Sequence, residues 1–290
     1  MSRVRACRTL VLVSLLLPAA TVSADAWTQA EGACYAKLSA RGIFGSTAYL
    51  STGLRDSRED VVDYRDIQAQ LYAECGLHPQ LTAVVFGTPI GYADASRDTG
   101  YVGPLGVGAR LDPIGDGGPL RFALQANYAY APDVGAERLF DEPGANPAVF
   151  YQPALENHYG ELSAQLGHGF VFSDDVNGWF VSTVGVRFPS ASGVDPALIA
   201  NVQVGVTAWS WLQIEAHFPL YEPFFQPIEE TNVSGVGQTR YLGFGLSASA
   251  WFLPELAVTA GVDGVFYASS NAATPSLTLG LESRFQAWQP

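Results

Sequence analysis

Charged side chains recur at alternate positions along several apolar segments of this chain, and this spacing gives them the greatest scope for chemistry. Six are basic, six are acidic, and His217 shares their spacing. The charged members are Lys37, Arg41, Arg110, Arg121, Arg187, Arg284, Asp66, Glu74, Glu161, Glu215, Asp263 and Glu282. Alternate residues of a β-strand face the same side, so we expect this set to point into an enclosed space. Enclosed charges require partners, and equal numbers of both signs predict ion pairs that either brace the interior or line a narrow polar path for small solutes.

The histidines give little support to nucleophilic catalysis or metal binding. The chain has four of them, His78, His158, His168 and His217. The alternation places His158 and Ser163 on opposite faces, and it places no serine with His217 and Glu215. A Gly-x-Ser-x-Gly elbow and metal-ligand spacings are both absent from the sequence. We therefore expect no catalytic residue, no metal and no cofactor, and a lipid-modifying enzyme is the least favoured alternative.

Two cysteines have spacing that permits a cross-link. Cys34 and Cys75 fall in the first two predicted strands, near the same end and on the face opposite to the charged set. Cysteines on neighbouring strands can bond when the register brings them opposite each other, and an oxidising compartment permits the bond. The pair is either a disulfide or two unbonded small residues that face lipid.

The elements that would position these residues are β-strands. Between 196 and 208, for example, Leu198, Val202 and Val206 alternate with Gln203 and Thr207, which is the period of a strand with one apolar face. The same pattern predicts twelve strands, over 31–43, 61–75, 80–92, 100–112, 119–131, 156–170, 177–188, 196–208, 211–222, 237–251, 255–268 and 275–288. Strands of this length can cross a bilayer when they are tilted.

The connections between the predicted strands alternate between short and long. Gly76–Pro79 and Trp209–Ser210 are typical of the short class, and Phe44–Asp60 and Pro132–Leu155 of the long class. Outer-membrane barrels have short periplasmic turns and long external loops. We therefore predict an all-β fold, a single antiparallel up-and-down transmembrane barrel of about twelve strands, with both termini in the periplasm. The third long loop, 132–155, could either stay outside the barrel or fold into the lumen.

Composition and the start of the chain agree with export to the outer membrane. Charged residues make up 15% of the chain, against about 25% in soluble domains. Three arginines precede a short apolar run from Leu10 to Leu17, and small residues follow it, as in a cleavable signal peptide. We predict a signal peptide over 1–24, with cleavage after 26 as the other option, and the barrel over 25–290. The net charge of −13 argues against nucleic acid as a partner.

The tryptophans fall at strand ends beside short turns or at the chain termini. Five of the six tryptophans make up one set, namely Trp179, Trp209, Trp211, Trp251 and Trp288. Amphipathic aromatic rings prefer the membrane–water interface. This placement predicts an aromatic rim at the periplasmic end of the barrel.

One hairpin resembles a known group of proteins. The pattern Tyr-x-Glu-Cys-Gly-Leu-x-x-x-Leu-Thr over Tyr72–Thr82, together with Pro89-Ile90-Gly91 and Gly106–Arg110, is similar to a group of Gram-negative outer-membrane barrels that includes the family named for the meta-pathway of phenol degradation. Cys75 departs from that pattern, because an aromatic or aliphatic residue is commoner there. The resemblance covers mainly the first third of the chain, and it implies a passive channel or a transporter of hydrophobic compounds.

These features together predict an outer-membrane channel or transporter that lets small solutes pass, including hydrophobic or aromatic ones. The alternative is a closed barrel with a structural or surface-interaction role. The expected partners are outer-membrane lipid, lipopolysaccharide, the barrel-assembly machinery and a small-molecule solute. The sequence carries no signal for an oligomeric state.

Overall fold

The computed structural model describes residues 28–51, 58–115, 118–142, 148–224 and 228–288. The predicted signal peptide over 1–24 lies outside the described residues. No helix in the described part of the chain is long and apolar enough to cross a membrane.

The chain forms a closed antiparallel up-and-down barrel, as predicted. Its strands are β1 (Ala33–Tyr49), β2 (Arg58–His78), β3 (Leu81–Asp94), β4 (Asp98–Tyr101), β5 (Leu105–Leu111), β6 (Leu120–Ala131), β7 (Phe140–Glu142), β8 (Val149–Tyr151), β9 (Asn157–Ser173), β10 (Val176–Pro189), β11 (Ala197–Ala208), β12 (Leu212–Pro223), β13 (Thr231–Asn232), β14 (Arg240–Leu253), β15 (Leu256–Ser269), β16 (Asn271–Ala272) and β17 (Ser276–Gln286). Twelve long strands pair in sequence order, and β1 pairs with both β2 and β17. The barrel therefore has no free edge.

The predicted fourth strand, 100–112, is wrong in one respect, because it is divided into β4 and β5. Pro104 between them has no N–H to donate to a neighbouring strand. The segment between β4 and β5 is instead hydrogen-bonded to Thr88 of β3. The Thr88 N–H donates to the Pro104 carbonyl (2.9 Å), and the Thr88 carbonyl accepts from the Gly103 N–H (2.9 Å). The strand is thus interrupted at a proline while the wall of the barrel stays connected.

The outer surface of the barrel is apolar. On β17, Leu277, Leu279 and Leu281 are 61%, 65% and 57% exposed, while the intervening residues face the interior. An apolar surface of this extent is unfavourable in water and favourable against lipid. The alternation of β17 thus gives each residue either a lipid-facing or a lumen-facing position.

The two ends of the barrel differ in how the chain closes them. At one end, the short-turn end, the strands are joined by tight turns such as the one between β11 and β12. Trp209 and Ser210 in that turn both have positive φ angles, 51° and 59°, which is the backbone of a two-residue type I′ hairpin. The opposite end, the long-loop end, carries the longer connections.

Two long connections fold together over the long-loop end, which the sequence did not predict. β7 and β8 are antiparallel, and β13 pairs with β8 in parallel. We call β7, β8, β13 and the described residues of 132–156 and 228–239 the loop cap. Leu139, Tyr151 and Val233 of the loop cap are at most 1% exposed and form a core with residues of β1 to β4. The third long loop therefore packs against the mouth of the barrel.

The two cysteines are disulfide-bonded. Cys34 on β1 lies directly opposite Cys75 on β2, with 4.2 Å between the Cα atoms. The bond joins the first two strands near the short-turn end.

Candidate functional site

One side of the lumen is filled by a network of hydrogen-bonded side chains. At its centre Arg110 donates to Glu74 (Nη1 to Oε2, 3.0 Å), and each residue is only 1% exposed. Glu74 also accepts a hydrogen bond from the Tyr72 hydroxyl (2.7 Å) and one from the Gln29 amide. The Gln125 carbonyl oxygen accepts from Arg110 Nε (2.9 Å). The buried carboxylate therefore has partners from three directions, as such a group requires.

The network continues across the next strands. Glu161 accepts from Arg187 (2.6 Å) and from Asn127 Nδ2 (3.0 Å). Gln125 donates to Asn127 Oδ1 (2.9 Å) and accepts from Arg110, so it links this ion pair to Arg110. We call the set contributed by β2, β5, β6, β9 and β10 the filled wall. Its charged side chains bond to one another and to neighbouring polar groups.

A further ion pair near the short-turn end includes Asp112, which is not among the predicted lumen residues. Arg121 Nη1 lies 3.0 Å from Asp112 Oδ2, and Asp112 is fully buried. The other oxygen of Asp112 accepts from the backbone N–H groups of Ile114 (3.0 Å) and Gly115 (2.9 Å). Two signals in the sequence could have found Asp112, namely its shared parity with Arg110 and its place before a glycine-rich turn.

The opposite side of the lumen holds a cavity of about 700 Å³. Charged or ionisable side chains in its lining are Lys37, Arg41, Glu215, His217 and Asp263. We call this region, contributed mainly by β1, β12, β14, β15 and β17, the open side. The predicted lumen charges thus divide between a wall that is filled and a wall that faces a cavity.

An ion pair also organises the open side, and its basic member is less buried than Arg110. Lys37 Nζ lies 3.2 Å from Glu282 Oε1, and the Lys37 side chain remains 30% exposed. Glu282 also accepts from Ser249 (2.9 Å). Arg41 Nε donates to Ser276 (3.0 Å). These contacts hold the charged groups against the wall while part of their surface faces the cavity.

His217 lies between two carboxylates. Its Nε2 is 2.9 Å from Asp263 Oδ1, and its Nδ1 is 3.9 Å from Glu215 Oε1. Gly245 makes this arrangement possible, because a Cβ at that position would collide with the His217 ring and with Asp263. Ser276 lies 3.5 Å from Asp263 rather than beside the histidine. The arrangement is not that of a nucleophile–histidine–carboxylate relay, in which the histidine contacts the serine.

Aromatic and charged side chains pack across the lumen near the short-turn end. The Arg284 guanidinium lies 3.6 Å above the Trp251 ring, and the rings of Tyr35 and Tyr72 are 6.2 Å apart. Trp179 and Trp251 are only 7% and 8% exposed. The rings of these two tryptophans of the predicted rim pack inside the barrel.

The other three tryptophans of the predicted rim are exposed. Trp209, Trp211 and Trp288 are 58%, 48% and 40% exposed, and the rings of Trp209 and Trp211 stack with 6.1 Å between centroids. They lie at the short-turn end of the barrel or beside the last strand.

The loop cap is tied to the barrel through Asp66. This carboxylate accepts hydrogen bonds from the hydroxyls of Tyr101 (2.7 Å) and Tyr151 (3.0 Å). Burial and the neighbouring carboxylate raise the pKa of the Tyr151 hydroxyl well above its ordinary value, so it stays protonated as a donor. Ser234 and Gly235 of the loop cap line the 700 Å³ cavity. The loop cap therefore roofs part of the open side.

The described residues contain no group of three or more His, Cys, Asp or Glu side chains arranged to hold a metal ion. What the open side offers chemically is a polar surface with both signs of charge. Such a surface can exchange hydrogen bonds with a passing solute.

Comparison with known proteins supports the fold. No protein-family model and no curated protein matches the sequence. Among solved structures, the chain is similar to an outer membrane channel from Pseudomonas putida F1, with a TM-score of 0.59, 12% identity, and coverage of 91% of this chain and 99% of that chain. A KdgM porin matches with a TM-score of 0.46 and 7% identity, covering 86% of this chain and 99% of that chain. At such low identities the likeness concerns the fold alone, and the chain has the fold of an outer-membrane β-barrel of Gram-negative bacteria.

Proposed function

We propose that this protein is a passive outer-membrane channel for small solutes, and that the solutes pass along the open side. The observation that carries the proposal is the cavity of about 700 Å³ inside a closed barrel. A barrel built only as a scaffold gains no stability from such a cavity, because side chains could fill it as they do on the filled wall. The similarity to a channel from another bacterium is consistent with this role.

The lining of the open side suits solutes of mixed character. Glycines such as Gly243 and Gly261 leave space, and Thr259 and Thr278 offer hydroxyls. Phe86 and Tyr241 add aromatic surface. We propose small solutes with both polar and apolar parts, including aromatic ones, as the molecules that pass.

We propose that the short-turn end faces the periplasm and that the loop cap lies outside the cell. The support is the rule that short turns face the periplasm and long loops face the exterior in barrels of this type. We propose outer-membrane lipid and lipopolysaccharide as partners of the apolar outer face, and the barrel-assembly machinery as a transient partner.

The loop cap favours a second candidate, a closed barrel whose cap has a structural or surface-interaction role. Its buried core of Leu139, Tyr151 and Val233 shows that the cap is packed rather than loose. The two candidates differ in whether the lumen conducts.

Conductance of the refolded mature protein in a planar lipid bilayer tests the proposal. We expect discrete openings in salt solution. Thr278→Trp, in the cavity lining, should lower the conductance because the indole occupies the open side. Leu279→Trp is the matched control on the same strand, since Leu279 faces outward at 65% exposure, and it should conduct like the original protein.

An absence of any opening over the full range of voltage and salt would favour the closed barrel. Equal conductance in the two tryptophan variants would show that current does not follow the open side.

A further inference from the structure

A second cavity of about 200 Å³ lies between the loop cap and the barrel wall. Three tyrosines of the barrel line it, Tyr159, Tyr221 and Tyr241, and the loop cap contributes Leu155 and Val236. Gly235 and Tyr241 also line the larger cavity of the open side. The smaller cavity therefore adjoins the lumen at the end where a solute from outside would arrive.

The aromatic rings of this cavity form a preorganised surface. The rings of Tyr221 and Tyr241 are stacked, with 6.0 Å between centroids and an interplanar angle of 14°. Tyr159 is 8% exposed and Tyr221 is 6% exposed. The hydroxyls of all three tyrosines make no hydrogen bond to any other described residue. The cavity thus presents ring faces and hydroxyl groups that a bound molecule could use.

The one charge in the described lining of the cavity is neutralised from outside it. Arg187 is the charged side chain there, and Glu161, behind the lining, pairs with it at 2.6 Å. Its guanidinium also lies over the rings of Tyr159 (4.5 Å) and Tyr221 (5.4 Å). An anionic ligand would have to compete with Glu161 for Arg187, so the electrostatics favour a neutral molecule.

The loop-cap wall of the cavity has a defined backbone. Gly235 and Gly237 have φ angles of +76° and +89°, and Val236 lies between them. The Asn232 side chain donates to the Val236 carbonyl (2.9 Å), and Ser234 donates to the Gln152 carbonyl (2.6 Å). These hydrogen bonds fix the position of Val236 against the tyrosines.

We propose that this cavity is a binding site for a neutral molecule that contains a single aromatic ring and a hydroxyl group. A dry cavity of about 150 Å³ accommodates benzene, and 200 Å³ leaves room for a hydroxyl-bearing substituent. The ring would pack on the tyrosines and the hydroxyl would bond one of theirs. The inference rests on the proposed channel function, since it makes this cavity the place where a solute binds before it enters the open side.

Binding can be measured by ligand-observed NMR titration of the refolded mature protein in detergent micelles, with empty micelles as the blank. Benzyl alcohol should bind saturably. Cyclohexylmethanol has the hydroxyl but no aromatic ring, and benzoate has the ring but is charged. Each should bind about tenfold more weakly, because the ring contacts or the neutrality are lost.

Two variants locate the site. Val236→Trp places an indole in the cavity from the loop cap without altering a barrel strand, and it should abolish saturable binding. Tyr221→Phe keeps the ring and removes a hydroxyl, so it should weaken binding severalfold. Tyr128→Phe is the matched control, since Tyr128 is exposed on the outer face, and it should bind like the original protein. Heat-modified migration on gels confirms that each variant is folded.

Equal binding of the three probes, or unchanged binding in Val236→Trp, would overturn the inference. Conductance recorded on the same preparations separates it from the channel proposal. A conducting protein without saturable benzyl alcohol binding removes the binding site alone, whereas binding without conductance removes the channel alone.

Discussion

The filled wall and the open side contain the same types of charged residue, but the surroundings of these residues differ. In both, carboxylates and basic groups from neighbouring strands face the lumen. On the filled wall Glu74 and Arg110 are each 1% exposed and also bond Tyr72 and Gln125. On the open side the Lys37 side chain keeps 30% of its surface exposed beside a large cavity. The contrast teaches that paired polar groups occupy one side of the barrel and leave the proposed solute path to the other.

Removal of one member of the most buried ion pair tests the difference between the two sides most directly. Arg110→Met leaves the Glu74 carboxylate buried without its guanidinium, and we expect the free energy of unfolding to fall by about 3–5 kcal/mol. Urea unfolding of the barrel in lipid vesicles measures this. Lys37→Met on the open side is the comparison variant, and the loss should be smaller than for Arg110→Met, because Lys37 is 30% exposed and the buried Glu282 keeps its hydrogen bond from Ser249. Similar losses in the two variants would show that the two sides do not differ as described.

A smaller effect is expected where the loop cap meets the barrel. Tyr151→Phe removes one of the two hydroxyls that Asp66 accepts from, and we expect a loss of about 1–3 kcal/mol that is confined to the loop cap. Hydrogen exchange should show faster exchange in β8 and β13 and little change in β10 or β11. Tyr130→Phe on the outer face serves as control. Exchange that rises equally throughout the barrel would mean that the loop cap is not a separate unit.

The strand alternation was enough to predict a barrel of twelve strands, apart from the break in the fourth. A period of two makes inward and outward residues easy to separate. It also indicated the inward direction of Trp251, which shares parity with Ser247 and Ser249. The preference of tryptophan for membrane interfaces points in the other direction, so the two signals disagree at Trp251.

The division into two sides could not be predicted from alternation, because it depends on which inward residues are paired. Those pairs follow from strand register, as with Arg187 opposite Glu161 and Lys37 opposite Glu282. The loop cap was missed for another reason. Its strands have two or three residues each and no periodicity, and Tyr151 contacts Asp66 across 85 positions of sequence. Gln29 was missed because it lies in the segment before the first strand.

Selectivity offers a test of the open side that stability does not. Asp263→Asn removes one negative charge from the cavity while keeping the shape of the side chain. A unit charge about 8 Å away in water contributes about 0.5 kcal/mol of attraction for a cation and about the same repulsion for an anion, so the permeability ratio of cations over anions should fall about fivefold to sixfold. Reversal potentials in a salt gradient measure the ratio. Asp98→Asn, an exposed position on β4 away from the cavity, should leave it unchanged, and an equal shift there would indicate a general surface-charge effect.

The smallest expected effect tests whether stability and conduction can be changed independently. Ser210 lies in the turn between β11 and β12 with a φ angle of 59°, where an L-residue is less favourable than glycine. Ser210→Gly should therefore raise the free energy of unfolding by about 0.5–1 kcal/mol. Ser173→Gly at the end of β9 is the control, and since Ser173 is not in the left-handed region it should gain nothing. Because the turn contributes to neither the filled wall nor the open side, the conductance of Ser210→Gly should equal that of the original protein. A change in conductance would mean that the short-turn end, and not only the two sides of the lumen, shapes the proposed solute path.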